Sequence, residues 1–221
     1  MSRWREWRSL VAFVATMLVF RSMIADWNQV PSGSMLPSIL IGDRIVVDKL
    51  AYDLRAPFTR WRLARLHDPA RGDVVTFVSP EDGRLLVKRV VGSPGDLVAM
   101  TDNRLAINGE PAAYAALGDT GGATPPVAGY QYLRETILGS QRKVMVRDDN
   151  GDPRVRSFAP IRVPAGEYLM LGDNRDNSRD SRVIGFIGRD RITGRATAIA
   201  FSLDYENHYA PRLDRFLANL Q

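Results

Sequence analysis

Leu85-Leu86-Val87-Lys88-Arg89-Val90-Val91-Gly92-Ser93-Pro94-Gly95-Asp96-Leu97-Val98-Ala99-Met100-Thr101-Asp102-Asn103-Arg104-Leu105-Ala106-Ile107-Asn108-Gly109 reads as three short apolar runs divided by turn residues. The runs at 85–91, 97–100 and 105–107 are rich in β-branched and other apolar residues and too short for helices, so they read as strands. Asp102-Asn103 and Asn108-Gly109 tolerate the positive φ of tight primed turns, which signals hairpins. Pro94-Gly95-Asp96 is a further turn. Consecutive strands joined this tightly pair antiparallel.

Outward from this stretch, similar runs recur at 44–47, 73–78, 143–147, 167–171 and 196–201. Even spacing without intervening helices predicts a mainly β, largely antiparallel domain. Residues 112–160 differ: Gly121-Gly122, Pro125-Pro126 and Asp148-Asp149-Asn150-Gly151-Asp152 mark a loop-rich insertion carrying one or two hairpins. Past Pro211, Leu213, Phe216, Leu217 and Leu220 fall at helical spacing, which predicts a short amphipathic helix.

A chain of 221 residues holds one sizeable domain. Absence of Cys excludes disulfides, thiolate metal sites and Cys nucleophiles. The net charge of +5 comes from 27 Arg and three Lys scattered among 25 acidic residues, with no basic stripe or nucleic-acid motif. Attraction to anionic lipid headgroups accounts for that excess without a nucleic-acid partner.

At the amino end, Arg3, Arg5 and Arg8 precede an uncharged run over 9–20, and Trp7 and Trp27 stand 20 positions apart. Along a helix that separation is about 30 Å, the thickness of a bilayer core, with a Trp at each interface. The expected organisation is a basic cytoplasmic tail at 1–6, a transmembrane anchor at 7–27 and an extracytoplasmic domain at 28–221. A cleaved secretory signal fits less well, because cleavage after Ala25 places bulky Met23 where a small residue is wanted.

Three segments carry candidate chemistry. Pro31-Ser32-Gly33-Ser34-Met35-Leu36-Pro37 describes a stiff turn with exposed hydroxyls, although such composition alone usually means only a loop. Lys88 sits inside an apolar strand, on the face of Leu86 and Val90. Burial there lowers a Lys pKa, and a neutral amine accepts a proton where a guanidinium cannot. A Lys snorkelling from a strand edge is the bland alternative. The third segment, 172–182, packs short polar side chains after a strand. Its Asp173, Asp176 and Asp180 could hold a hard cation, but three neighbouring Arg compete for the carboxylates. His67 and His208 fit no Ser-His-Asp arrangement.

Taken in order, 31–35, Arg71-Gly72-Asp73-Val74-Val75, 87–96, 172–182 and Gly194-Arg195-Ala196-Thr197-Ala198 resemble the motif blocks of bacterial type I signal peptidase, a Ser–Lys dyad serine protease family. The resemblance implies a β-sheet, barrel-like catalytic domain behind a membrane anchor in the bacterial cytoplasmic membrane. It implies an endopeptidase that removes signal peptides from exported preproteins after Ala-X-Ala-like sites, without a cofactor. Ser34 would be the nucleophile and Lys88 the general base, with Ser32 donating to the oxyanion and Ser178 orienting the amine. Asp180 would pair with Arg182 and Arg89 to support the loop, with Gly172 and Asp173 beside the site. Val30, Met35 and Val87 would line the small substrate pockets. Ser93 departs from the Leu usual in the Gly-x-Pro-Gly-Asp turn, and one span stands where some members have two.

A Ser–Lys self-cleaving repressor would need an amino-terminal DNA-binding module, and only 33 residues precede Ser34. A pilus or conjugation-system processing peptidase would use the same dyad on fewer substrates. An inactive membrane-tethered binding protein would have no need of Ser34, Lys88 and Ser178 together. Residues 56–65 interleave Phe58, Trp61 and Leu63 with Arg60, Arg62 and Arg65 and match no strand or long-helix pattern. Two readings follow: aromatics packed onto the β core, or a loop in the membrane interface.

Overall fold

The computed structural model describes residues 2–59, 61–118, 126–149 and 151–220, with side chains from Trp7 onward. Gly121-Gly122, Pro125, Arg60, Asn150 and the side chains of Arg3 and Arg5 lie outside the described residues. The order begins α1 (Ser2–Met23), β1 (Ala25–Gln29), β2 (Asp43–Asp48), β3 (Asp53–Arg55), β4 (Arg62–Arg65), β5 (Val74–Val78) and β6 (Leu85–Gly92). It continues β7 (Leu97–Thr101), β8 (Arg104–Ile107), β9 (Glu110–Pro111), β10 (Ala113–Ala116), β11 (Tyr130–Ile137), β12 (Ser140–Arg147), α2 (Pro153–Arg156) and β13 (Phe158–Arg162). It ends β14 (Glu167–Leu171), α3 (Ser181–Ile184), β15 (Ile187–Gly188), β16 (Ile192–Asp204) and β17 (Ala210–Pro211).

The main sheet runs β1-β2-β16-β5-β6-β14-β15, with β17 added to β16, and its pairs are antiparallel. Register shifts along the 13-residue β16 bend that strand and curl the sheet toward a half-barrel. Strand β2 alternates buried and half-buried residues, so Asp43, Ile45 and Val47 share the inner face. Two smaller sheets, β13-β7-β8-β9 and β10-β11-β12, stand beside it.

One apolar cluster (Val30, Met35, Ile39, Ile45, Val47, Val74, Ile199 and neighbours) fills the main sheet's inner face, and a second (Val75, Phe77, Val90, Tyr168, Met170, Ile187) covers the other. The hairpin turns have the expected geometry. Asp102, Asn103 and Asn108 take φ of 45°, 59° and 54°, values that short polar side chains and Gly accommodate best.

Three expectations change. Helix α1 ends at Met23, so Trp27 lies on β1 rather than at a helix end. Lys49 stops the helix: its ammonium reaches the Arg21 and Ser22 carbonyls and Asp26, while Arg21 turns to Asp26 and stacks on Trp27. Among the described residues no helix is long and apolar enough to cross a membrane. The tail is not an amphipathic helix. After a single 3-10 turn at Leu213–Arg215 it extends along β16, with Leu217 N donating to Ile199 O and Leu220 N to Thr197 O. Within 56–65, β4 pairs with β3, so a strand does occur there. The insertion at 112–160 carries the three-stranded meander β10-β11-β12, and after it β13 leaves the meander to pair with β7 in the neighbouring sheet.

Candidate active site

Strand β6 places Lys88 directly opposite Val75, on the face of Leu86 and Val90, and leaves it 3 % exposed. The 3-10 turn Gly33–Met35 brings Ser34 to the same point, and Lys88 Nζ lies 2.5 Å from Ser34 Oγ in a hydrogen bond. Burial pushes the Lys88 ammonium down to about 8, against the pull of Asp180 and Asp173, with Arg182 adding to the depression. Such an amine is half neutral at mildly alkaline pH, and it touches the one hydroxyl it would deprotonate. Ser32 Oγ stands 3.5 Å from Ser34 Oγ, on the solvent side of the turn.

The loop after β14 supports this pair. Gly172 N donates to Asp180 Oδ2 (2.9 Å), and Asp180 caps α3 through the Arg182 amide. A Cβ at Gly172 would strike Ser178 Oγ and the Ser34 carbonyl, so the close approach of loop to turn requires glycine there. Ser178 is therefore brought to the Ser34 turn, but its buried hydroxyl makes no hydrogen bond to Lys88, contrary to the expected orienting contact.

Arg182 grips Asp180 bidentately at 2.8 and 2.7 Å. Arg89 does not join them, contrary to the expected pairing. It points to the face opposite Lys88 and grips Asp173 at 2.9 and 2.7 Å, because Arg89 pairs with Leu171 in register and Asp173 follows two residues later. Asp176 is held by Arg156, which contacts both carboxylate oxygens at 2.7 and 3.0 Å. All three carboxylates offered as cation ligands are thus occupied by guanidinium groups.

Val30 (4 % exposed), Met35 (1 %) and half-buried Val87 belong to the inner-face cluster, so the apolar wall next to Ser34 is continuous with the core. Asn174 was not singled out from the sequence, and its part is direct. Its backbone N–H donates to Ser34 O and its side-chain amide to Gly33 O, both at 3.1 Å. Ser38 Oγ donates to Asp173 Oδ2 at 2.6 Å, tying the segment after Ser34 to the same loop.

The family model "Signal peptidase, peptidase S26" matches residues 3–201. A signal peptidase I of Pseudomonas fluorescens is 38% identical over 207 residues, covering 88% of this chain and 71% of that protein. One from Pseudomonas aeruginosa is 37% identical with the same coverage. A crystal structure of a signal peptidase I from Enterococcus faecalis V583 shares 28% identity and covers 60% of this chain and 99% of its own, with a TM-score of 0.38. With nearly its whole length matched, this chain belongs to the signal peptidase family, peptidase S26, and is a serine endopeptidase.

Proposed function

We propose that the chain removes signal peptides from exported preproteins by a Ser34–Lys88 dyad, cleaving after small residues of the Ala-X-Ala kind. The observation that carries this reading is the 2.5 Å contact between Ser34 Oγ and an amine held near pKa 8 by burial. Neutral Lys88 takes the Ser34 proton as the hydroxyl attacks the scissile carbonyl, and the oxyanion is held by Ser32 and the Ser34 backbone N–H. The protonated amine then delivers its proton to the leaving amino group, giving an acyl-enzyme. Water hydrolyses that ester with Lys88 again as base, which restores Ser34 and releases the signal peptide carboxylate. Val30, Met35 and Val87 favour small apolar side chains, because they present well-packed core surface rather than a deep cavity.

Exposed apolar surface supports a membrane placement. Leu10, Val11, Phe13 and Leu18 of α1 are more than half exposed, and in the β3–β4 hairpin Phe58, Trp61 and Leu63 are 69, 76 and 60 % exposed. The hairpin aromatics do not pack onto the core, which favours the interfacial reading over the alternative. Phe58 N donates to Ser22 Oγ at 2.7 Å, so the hairpin is tied to the helix end and the two would meet a bilayer together. On the same hairpin Arg62 is paired with buried Asp53, while exposed Arg65, paired with exposed Asp68, stands where a cation would meet anionic headgroups. In this reading the catalytic domain lies on the extracytoplasmic side of the bacterial cytoplasmic membrane.

Incubating the detergent-solubilised protein with a preprotein, with Ser34→Ala as control, tests the activity. A single cut at the signal peptide boundary, absent in the control, is expected; uncut preprotein or a cut by the control contradicts it.

A further inference from the structure

The insertion reaches the catalytic loop as a built support, not as a peripheral ornament. Met145 of β12 donates to Asp173 O at 2.9 Å and accepts from Arg175 N at 3.0 Å, so the two chains run side by side there. Between those two loop residues lies Asn174, whose N–H and amide hold Ser34 O and Gly33 O from the opposite side. The loop is therefore a bridge, one edge on the insertion and the other on the nucleophile turn.

Beside this bridge sits a buried charge cluster. Glu135 of β11 is 0 % exposed and pairs with Arg175 at 2.7 Å and with Arg142 of β12. Burial alone would raise the Glu135 carboxyl, but Arg175 and Arg142 outweigh it and hold it at about 2. Tyr114 of β10 completes the set, its hydroxyl donating to Glu135 Oε2 at 2.6 Å. A buried ion cluster is a weak source of stability, since apolar residues of like volume often do as well, and the best-attested use of such groups is to fix geometry.

We propose that the insertion sets the position of the nucleophile and that Glu135 is a positioning residue, acting through Arg175 and Asn174 on Ser34. Glu135 touches no substrate. It fixes Arg175, Arg175 fixes the loop backbone, and Asn174 then fixes the carbonyls on either side of the Ser34 amide. A shift of about 1 Å there is enough to cost up to a hundredfold in rate. The proposal rests on the dyad reading, and Ser34→Ala separates the two: if that control is active, the dyad fails first.

The test uses the full chain with two substrates, a preprotein and a small acyl ester too short to reach the insertion. Glu135→Gln removes the charge at constant size. Its kcat is expected to fall about ten- to a hundredfold on both substrates with KM nearly unchanged, in a protein whose circular dichroism matches the parent. Tyr114→Phe, which deletes one hydroxyl, should show the same pattern at a few-fold and serves should Glu135→Gln fail to fold. Loss confined to preprotein KM would make the insertion a substrate wall. Unchanged kcat in both folded variants would make the cluster structural only. Either result overturns the proposal.

Discussion

Lys88 and Ser34 are 54 residues apart in sequence and 2.5 Å apart in space, joined where the β6 strand passes the turn at Gly33–Met35. Neither residue has chemistry of its own at neutral pH. A free Lys is protonated and a free Ser hydroxyl is a weak nucleophile, so the proposed dyad requires the depression of the amine that burial brings.

Activity is expected to rise with pH. In the proposed dyad the base is the neutral amine, its fraction grows as pH passes about 8, and kcat/KM should climb about tenfold per pH unit below that value and level above it. Initial-rate measurements from pH 6 to 10 check this. A falling limb over that range would point to a protonated Lys88 as the working form.

The same depression has a cost in stability. Lys88 carries a folded value of about 8 against an ordinary 10.5, so between those two pH values the unfolded chain binds the extra proton. Stability from this group therefore rises with pH from 8 to 10.5, and below 8 the buried amine costs about 3 kcal/mol. Lys88→Met should accordingly be inactive yet more stable than the parent at pH 7 in urea unfolding, with the gain gone above pH 10.5. A variant less stable at pH 7 would contradict the buried-amine assignment.

Ser32→Ala should lower kcat by about two to three orders of magnitude with little change in KM, because an oxyanion donor acts mainly in the transition state. Steady-state kinetics on a signal-peptide substrate measures this. An effect on KM alone would make Ser32 a binding residue.

The chain has no Cys, so Trp61→Cys creates a single labelling site. An environment-sensitive fluorophore there should shift to the blue in proteoliposomes containing anionic lipid and be quenched by nitroxides near the headgroups. A label that remains as exposed in proteoliposomes as in detergent-free buffer would remove the hairpin from the membrane contact.

Much of the fold was legible because alternation and turn chemistry agree. The expected strand at 167–171 is β14, and those at 85–91 and 97–100 fall within β6 and β7. What was hidden depends on tertiary pairing. Strand β1 is Ala-Asp-Trp-Asn-Gln, polar enough to read as a linker, and it becomes a strand only by pairing with β2. The full length of β16 was obscured by Gly194 and by bulges that break its alternation. The tail's apolar residues fall at helical spacing, yet its backbone hydrogen bonds go to β16.

In the site, Lys88 stands out in the sequence because it interrupts an apolar strand, whereas the partner of Arg89 depends on the register of β14. Glu135 left a signal that alternation could have found. It shares a strand face with Leu133 and Ile137, and all three are buried. Asn174 left none, since its role is set by a turn 141 residues earlier in the chain.

Cleavage of a preprotein by Lys88→Arg tests the dyad most directly. Arginine keeps the positive charge and nearly the length of Lys88, but a guanidinium does not deprotonate and cannot act as base. The dyad predicts a folded protein that leaves the preprotein uncut at every pH from 6 to 10, as Ser34→Ala does. Signal peptide release by Lys88→Arg at a rate near the parent's would contradict it.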